Sequence, residues 1–249
     1  MKTRIKNGVG MVLLFSGSLF LLGEGSQDRK GIVTFADGQV RRQPINVETW
    51  ESAPVNTDIL SGDKVRTYQQ SRAELDLARL DIIRLAPRTI IDIVKLYEET
   101  KEKKIRTEIK LEEGELWASV HKVDVKTEFD ISAPITAAAI TGTTLRFRVE
   151  QDSTTQLKVY NGEVKITNAP EKQNIPPKSL MPTQVPGPTQ IQGPRQVSLE
   201  EWVYIVKAMQ QITIDKRGQV VSVGSFTKGD PDEKSDWVNW NKTRDERIK

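Results

Sequence analysis

Asp124, Glu128 and Asp130 come closest, in type and spacing, to a set that could do chemistry. Paired carboxylates hydrolyse glycosides when one is held protonated as the acid and the other stays ionised. On a strand, Glu128 and Asp130 would share a face. The chain carries 34 acids, however, so close pairs arise by chance, and nothing marks either residue as the proton-holding partner. His121 is the single histidine and cysteine is absent, so histidine- or thiolate-based metal centres and histidine-dependent nucleophiles have no material to work with. Asp58, Asp63 and Asp81 lack the alternating pattern and glycine of a calcium loop. The expectation is a protein with no catalytic residue, no metal and no cofactor.

Binding residues are better represented. Arg66, Arg72, Arg84 and Arg88 could form an anion-binding face. Glu74, Asp76 and Asp92 are placed to balance them, and such mixing is expected of solvated strand faces. Trp50 and Trp117 are expected to anchor the core or its rim. Trp237 and Trp240 stand among Asp236, Lys242, Arg244, Asp245 and Arg247. Burying an apolar side chain is worth about 1.5–3 kcal/mol, so two tryptophans in a polar tail should find a surface. Either they dock back onto the body, or they anchor a partner, since Trp and Arg dominate binding hot spots. Trp202, Trp237 and Trp240 are the candidate partner contacts.

The elements that must position these residues are mostly strands. Ala73, Leu75 and Leu77 alternate with Arg72, Glu74 and Asp76; Ile105, Thr107, Ile109 and Leu111 alternate with Arg106, Glu108 and Lys110. Leu145, Phe147 and Val149 repeat the pattern with Thr144, Arg146 and Arg148, and period two is the mark of a half-buried strand. Glu98 to Lys104 is expected to be a hairpin tip. Gly62, Gly114, Gly142 and Gly162 are expected to serve backbone geometry, and Asn161-Gly162 is the strongest signal for a two-residue hairpin. Three segments echo one another: Gly38-Gln39-Val40, Gly114-Glu115-Leu116 and Gly162-Glu163-Val164. Regular short strands with glycine turns point to a mainly β, antiparallel sandwich or jelly roll over residues 31–168, with a β-solenoid as the alternative.

Seven of the twelve prolines fall between Pro170 and Pro194. This composition predicts a linker, or a strap along the domain, over residues 169–196. Ser198 and Glu201 form a capping box, and Trp202, Ile205, Val206 and Met209 share a face at helical spacing, predicting a helix to about Gln211. Short strands around Lys216-Arg217-Gly218 complete a unit of residues 197–226. Residues 227–249 read as a flexible charged tail with two tryptophans.

The start of the chain gives the expected address. Lys2, Arg4 and Lys6 precede an apolar run from Val9 to Leu22, followed by Gly23, Gly25 and Ser26. This is the pattern of a secretory signal peptide over residues 1–25, with retention as an anchor the alternative. A run of fourteen residues falls short of the roughly 20 that span a bilayer as a helix. The formal net charge is +3; without Lys2, Arg4, Lys6 and Glu24 the bases number 34 and the acids 33. Such balance gives no field to attract nucleic acid. An exported chain without cysteine must be held together by its own core, and it cannot be lipidated at an amino-terminal Cys.

Seven motifs in order carry a resemblance. They are Trp50-Glu51-Ser52-Ala53-Pro54-Val55-Asn56, Leu60-Ser61-Gly62-Asp63-Lys64-Val65-Arg66-Thr67, Ser71-Arg72-Ala73-Glu74-Leu75 and Ile83-Arg84-Leu85-Ala86-Pro87-Arg88-Thr89. Glu113-Gly114-Glu115-Leu116-Trp117-Ala118, Ile140-Thr141-Gly142-Thr143 and Val159-Tyr160-Asn161-Gly162-Glu163-Val164 complete the series. Together, across residues 31–168, they resemble the periplasmic FecR domain. The resemblance implies a jelly-roll-type β domain that binds or relays signals in the cell envelope, periplasmic or extracellular, without chemistry of its own. It implies an envelope protein as partner, with polysaccharide or peptidoglycan as the alternative ligand, and no membrane span once the leader is removed. The cytoplasmic segment by which the family's regulators handle a sigma factor has no counterpart here, so direct control of transcription is not expected.

Overall fold

The computed structural model describes residues 30–77, 81–121, 127–168 and 202–248. The expected leader, the proline-rich segment, Asp124 and the Ser198–Glu201 capping box lie outside the described residues.

Two sheets face each other, and the chain passes repeatedly between them. β1 (Gly31–Asp37) opens the first sheet, and β2 (Val40–Gln43) pairs with β3 (Glu51–Ser52) in the second. β4 (Asp58–Ile59) returns to the first sheet and β5 (Lys64–Thr67) to the second. The hairpin of β6 (Arg72–Leu77) and β7 (Asp81–Leu85) belongs to the first sheet, and β8 (Ile90–Glu99) to the second. β9 (Ile105–Ser119) begins in the second sheet and ends in the first. β10 (Thr127–Ser132) and β11 (Ala137–Ile140) lie in the second, β12 (Thr144–Val149) and β13 (Thr155–Asn161) in the first. β14 (Glu163–Thr167) and β15 (Val203–Lys207) follow in the second, β16 (Gln210–Ile214) and β17 (Val220–Ser225) in the first.

Across the first sheet the order is β4-β1-β6-β7-β9-β12-β13-β16-β17. Across the second it is β3-β2-β5-β8-β9-β10-β11-β14-β15. Among the described strands the β9–β10 pairing is parallel and the others are antiparallel. The architecture is a mainly β, antiparallel-dominated sandwich, neither closed nor a solenoid.

Hydrophobic alternation fills the space between the sheets. Leu75, Leu77, Ile83, Leu85, Phe147 and Leu157 point inward from the first sheet and Ile91, Ile93, Ile109 and Ile131 from the second, all essentially inaccessible to water. β9 shows how one strand serves both layers. Its residues buried towards the core are Thr107, Ile109 and Leu111 before Gly114, then Leu116 and Ala118 after it. The inward parity reverses because the strand has crossed to the opposite wall of the core. Gly114 makes that corner with φ +99°, where a Cβ would lie 2.5 Å from Thr89 Oγ1 and 2.7 Å from the Arg88 carbonyl oxygen. Only glycine meets both demands at once.

The same device recurs. Each described crossing between the sheets carries a residue of positive φ: Gly38, Gly62, Gly114, Gly142 and Gly162, with Asn56, Gln70, Arg88 and Met209 at the rest. The three echoing segments therefore mark three crossings. This corrects the hairpin expected at Asn161-Gly162, since β13 pairs with β12 and β16 while β14 pairs with β11 and β15. A left-handed residue turns a chain between layers as readily as within one. The turn at Thr100–Lys104 does close a hairpin, between β8 and β9.

Two expectations about the C-terminal third are corrected. The helix predicted to run to Gln211 is a pair of strands, β15 and β16, separated by a crossing. Val203, Ile205 and Val206 favour the extended chain, and Val203 to Lys207 pairs fully with β14. The tail predicted to be flexible is instead ordered. Pro231–Lys234 form one 3-10 turn, and Asp236–Ile248 form α1, which lies on the outer face of the first sheet.

Candidate functional site

The outward-pointing side chains of the first sheet line up in one row. Register places Phe35 opposite Glu74, Glu74 opposite Arg84, and Arg84 opposite Trp117. It continues with Trp117 opposite Arg146 and Arg146 opposite Lys158. A row on the outside of a sandwich normally meets water. Here Arg84 is 0% exposed, Trp117 1%, Lys158 2% and Arg146 4%, because the 3-10 turn and α1 lie across them. This corrects the expectation that Arg84 and Glu74 form part of a solvated face.

Two ionic clusters join tail to sheet. In the first, the Glu74 carboxylate accepts from Arg84 Nε at 2.6 Å, from Arg244 Nε and Nη2 at 2.7 Å each, and from Thr34 Oγ1 at 2.9 Å. Asp245 accepts from Arg84 Nη1 at 2.6 Å and from the Trp117 indole at 2.9 Å. Burial alone would push the Glu74 carboxyl up, but the hydrogen bonds from Arg244, Arg84 and Thr34 outweigh it and hold the group down at about 2.

The second cluster gathers around the 3-10 turn. Asp232 accepts from Lys158 Nζ at 2.6 Å and from Arg146 Nη2 at 2.5 Å. Glu233, buried, accepts from Lys158 at 3.2 Å, from the Tyr160 hydroxyl at 2.9 Å and from Lys242 at 3.1 Å. Burial raises the Tyr160 phenol, and the Glu233 carboxylate beside it adds to the shift over the opposing Arg146, so Tyr160 stays a donor. Burial also raises the Glu115 carboxyl, with Arg146 and Arg148 pulling the other way. At the start of α1, Arg72 pairs with Asp236.

An apolar patch lies between the clusters. Trp237 and Val238 pack with Ala86 and Trp117, bordered by Tyr160 and Trp240. Trp237 stacks on Trp240 at 5.4 Å, Trp117 stacks on Tyr160 at 4.4 Å, and Trp240 meets Phe35 at 5.4 Å. The docked segment leaves clefts beside it. One of about 810 Å³ is lined by Arg88, Arg148, Asp232 and Trp237; another of about 720 Å³ is lined by His121, Tyr160, Lys242 and Glu246.

The three candidate partner contacts are thus brought to two places. Trp237, 9% exposed, and the half-buried Trp240 lie on the sheet-facing side of α1. Trp202 is elsewhere and 4% exposed, its indole donating to the Gly218 carbonyl at 2.8 Å and its backbone N–H to Asn168 Oδ1 at 3.0 Å. Glu128 and Asp130 do share the outer face of β10, each tied to a base: Glu128 accepts from Lys104 at 2.6 Å and Asp130 from Arg106 at 3.1 Å. Burial raises the Asp130 carboxyl, with Arg106 opposing. Among the described residues no group of three or more His, Asp or Glu is placed to hold a metal ion. Trp50 lies at the rim, with the Arg66 guanidinium 4.1 Å from its ring centroid and 4.6 Å from that of Tyr68.

The row was hidden from sequence reasoning in part. Its strand alternation is plain, but burial of its charged members depends on a helix more than eighty residues further along than Lys158 at its carboxyl end, at Asp245. The signal that could have found it was the pair of tail tryptophans, which need a surface.

Among the described residues no helix is long and apolar enough to cross a membrane. Comparison with curated proteins gives no match. Two crystal structures of a candidate anti-sigma factor from Parabacteroides distasonis ATCC 8503 align at 12% identity and a TM-score of 0.45, covering 65% of this chain and 59% of that one. This chain therefore aligns with less than two thirds of those proteins' length. The family model described as FecR protein matches residues 63–165. That span runs from β5 into β14 and supplies Glu74, Arg84, Trp117, Arg146 and Lys158 to the row, and over these residues the chain is similar to the FecR domain.

Proposed function

We propose that this chain is an exported module of the cell envelope that holds a protein partner or relays a signal, and performs no chemistry itself. The observation that carries the reading is the family match over residues 63–165. The leader-like residues 1–25 support export, and the residues of the candidate acid pair, each tied into an ordinary ion pair, support a non-catalytic role. A sandwich without disulfides offers a rigid frame whose surfaces do the work. Cross-linking the native protein in its own cells, followed by identification and titration of what is captured, tests this. A saturable complex with an envelope protein is expected. A mature chain that forms none, or that turns over a substrate, would sink the proposal.

A second reading, binding to polysaccharide or peptidoglycan, draws on a single cluster. Trp50 and Tyr68 flank Arg66, an aromatic and cationic combination suited to acidic sugars. Affinity electrophoresis in polysaccharide gels compares the mature chain with Trp50→Ala, and equal mobility of the two rules this reading out.

A further inference from the structure

The face beneath α1 is built unlike the interior it backs onto. Inward residues of the same strands are Leu75, Leu85, Phe147 and Leu157; the covered outward ones are Glu74, Arg84, Arg146 and Lys158. A face meant for permanent burial would be expected to carry apolar residues, because buried ion pairs recover little more than their own desolvation. Charged residues instead keep both surfaces at ease in water when parted.

Complementarity across this face runs mainly one way, with Glu74 of the sheet and Arg244 of the tail as a reversed pair. The sheet presents the cations Arg72, Arg84, Arg146 and Lys158, and the tail answers with Asp236, Asp245, Asp232 and Glu233. The tryptophans fill the patch between. The occupant is a 13-residue helix, about the length at which an isolated helix is marginal in water, so it is ordered by docking. Clefts of about 810 and 720 Å³ border it, one against its first turn and one against its later turns.

We propose that the outer face of the first sheet is an exchangeable receptor for an amphipathic helix bearing acids and tryptophan, with α1 as its resident occupant. The partner, on the function proposed above, presents such a helix and displaces α1. The receptor is closed until a helix that matches the four cations and the aromatic patch competes for it.

The test uses the full chain and a fluorescent peptide of residues 227–248. Hydrogen exchange on the unaltered protein is expected to show α1 amides opening without the sheets, at least about ten-fold faster in roughly 0.5 M salt than at low salt. The variant Trp237→Ala/Trp240→Ala, whose own helix is weakened, is expected to bind the peptide at least about ten-fold more tightly than wild type, and adding Arg84→Gln is expected to remove that gain. Polyglutamate, which lacks the aromatic anchors, should not compete. Exchange of α1 only on global unfolding would overturn the proposal. So would equal competition by polyglutamate, or a folded, weakened variant that ignores the peptide. Each readout concerns this chain alone, so an exchangeable helix on a protein that captures nothing in the envelope would count against the envelope function and leave the receptor standing.

Discussion

Arg84 ties the sheet to the tail by both ends of its guanidinium. Nε serves Glu74 on the neighbouring strand and Nη1 serves Asp245 on α1. Removing one member of a buried, hydrogen-bonded pair costs about 3–5 kcal/mol, far more than the pair adds over a neutral packing. Arg84→Met is therefore expected to strip α1 of protection by that order while the sheets keep theirs, as read by hydrogen exchange. At this scale the sequence was legible in type and illegible in burial. Arg84 and Glu74 look the same as any alternating outward charges, and only the distant Asp245 and Arg244 make them interior. Trp117 was recognisable as an anchor because a residue of its size is seldom left in water.

Strand alternation announced most elements, since a period of two is imposed locally by the backbone. What it could not announce was which strands pair. The positive-φ crossings at glycines are visible in the sequence, yet the same backbone makes a hairpin or a crossing, and Asn161-Gly162 is a crossing. Helical spacing misled at Trp202, where β-branched neighbours and a ready partner in β14 prevail. Gly114→Ala tests the corner. With φ +99° and contacts of 2.5–2.7 Å awaiting a Cβ, the change is expected to cost at least about 1–3 kcal/mol, measured by urea denaturation. A second expectation concerns the hairpin of β14 and β15. Thr167 and Val203 are register partners, so the chain leaves and rejoins the sheet at one place. Replacing residues 169–201 by Asn-Gly is expected to preserve the far-ultraviolet circular dichroism. Loop-closure entropy alone, for a connection shortened by about three halvings, should add up to about 2 kcal/mol of stability.

The docked tail makes the molecule sensitive to acid. The Glu74 carboxyl sits at about 2 in the folded protein, against roughly 4.3 in an unfolded chain. The docked state thus binds fewer protons, and the stabilisation from this group, complete above about pH 4.3, drains away as the pH falls towards 2. Asp232, also held below the ordinary range despite its partial burial by hydrogen bonds from Lys158 and Arg146, acts in the same sense. Glu115, raised by burial, acts in the opposite one. Tryptophan fluorescence is expected to report release of α1 between about pH 4.3 and 2, ahead of any loss of strand signal, and Glu74→Gln should flatten that transition.

β9 bonds to β8 and β10 in one layer and to β7 and β12 in the other without a break in the chain. The two walls of the sandwich are consequently spliced along their middle by covalent backbone. A pull on either wall is borne by peptide bonds before it reaches the side-chain packing, and the layers cannot shear past one another at that seam. A load applied at the β8–β9 hairpin would thus travel along a single stiff spar to the cationic row at its far end.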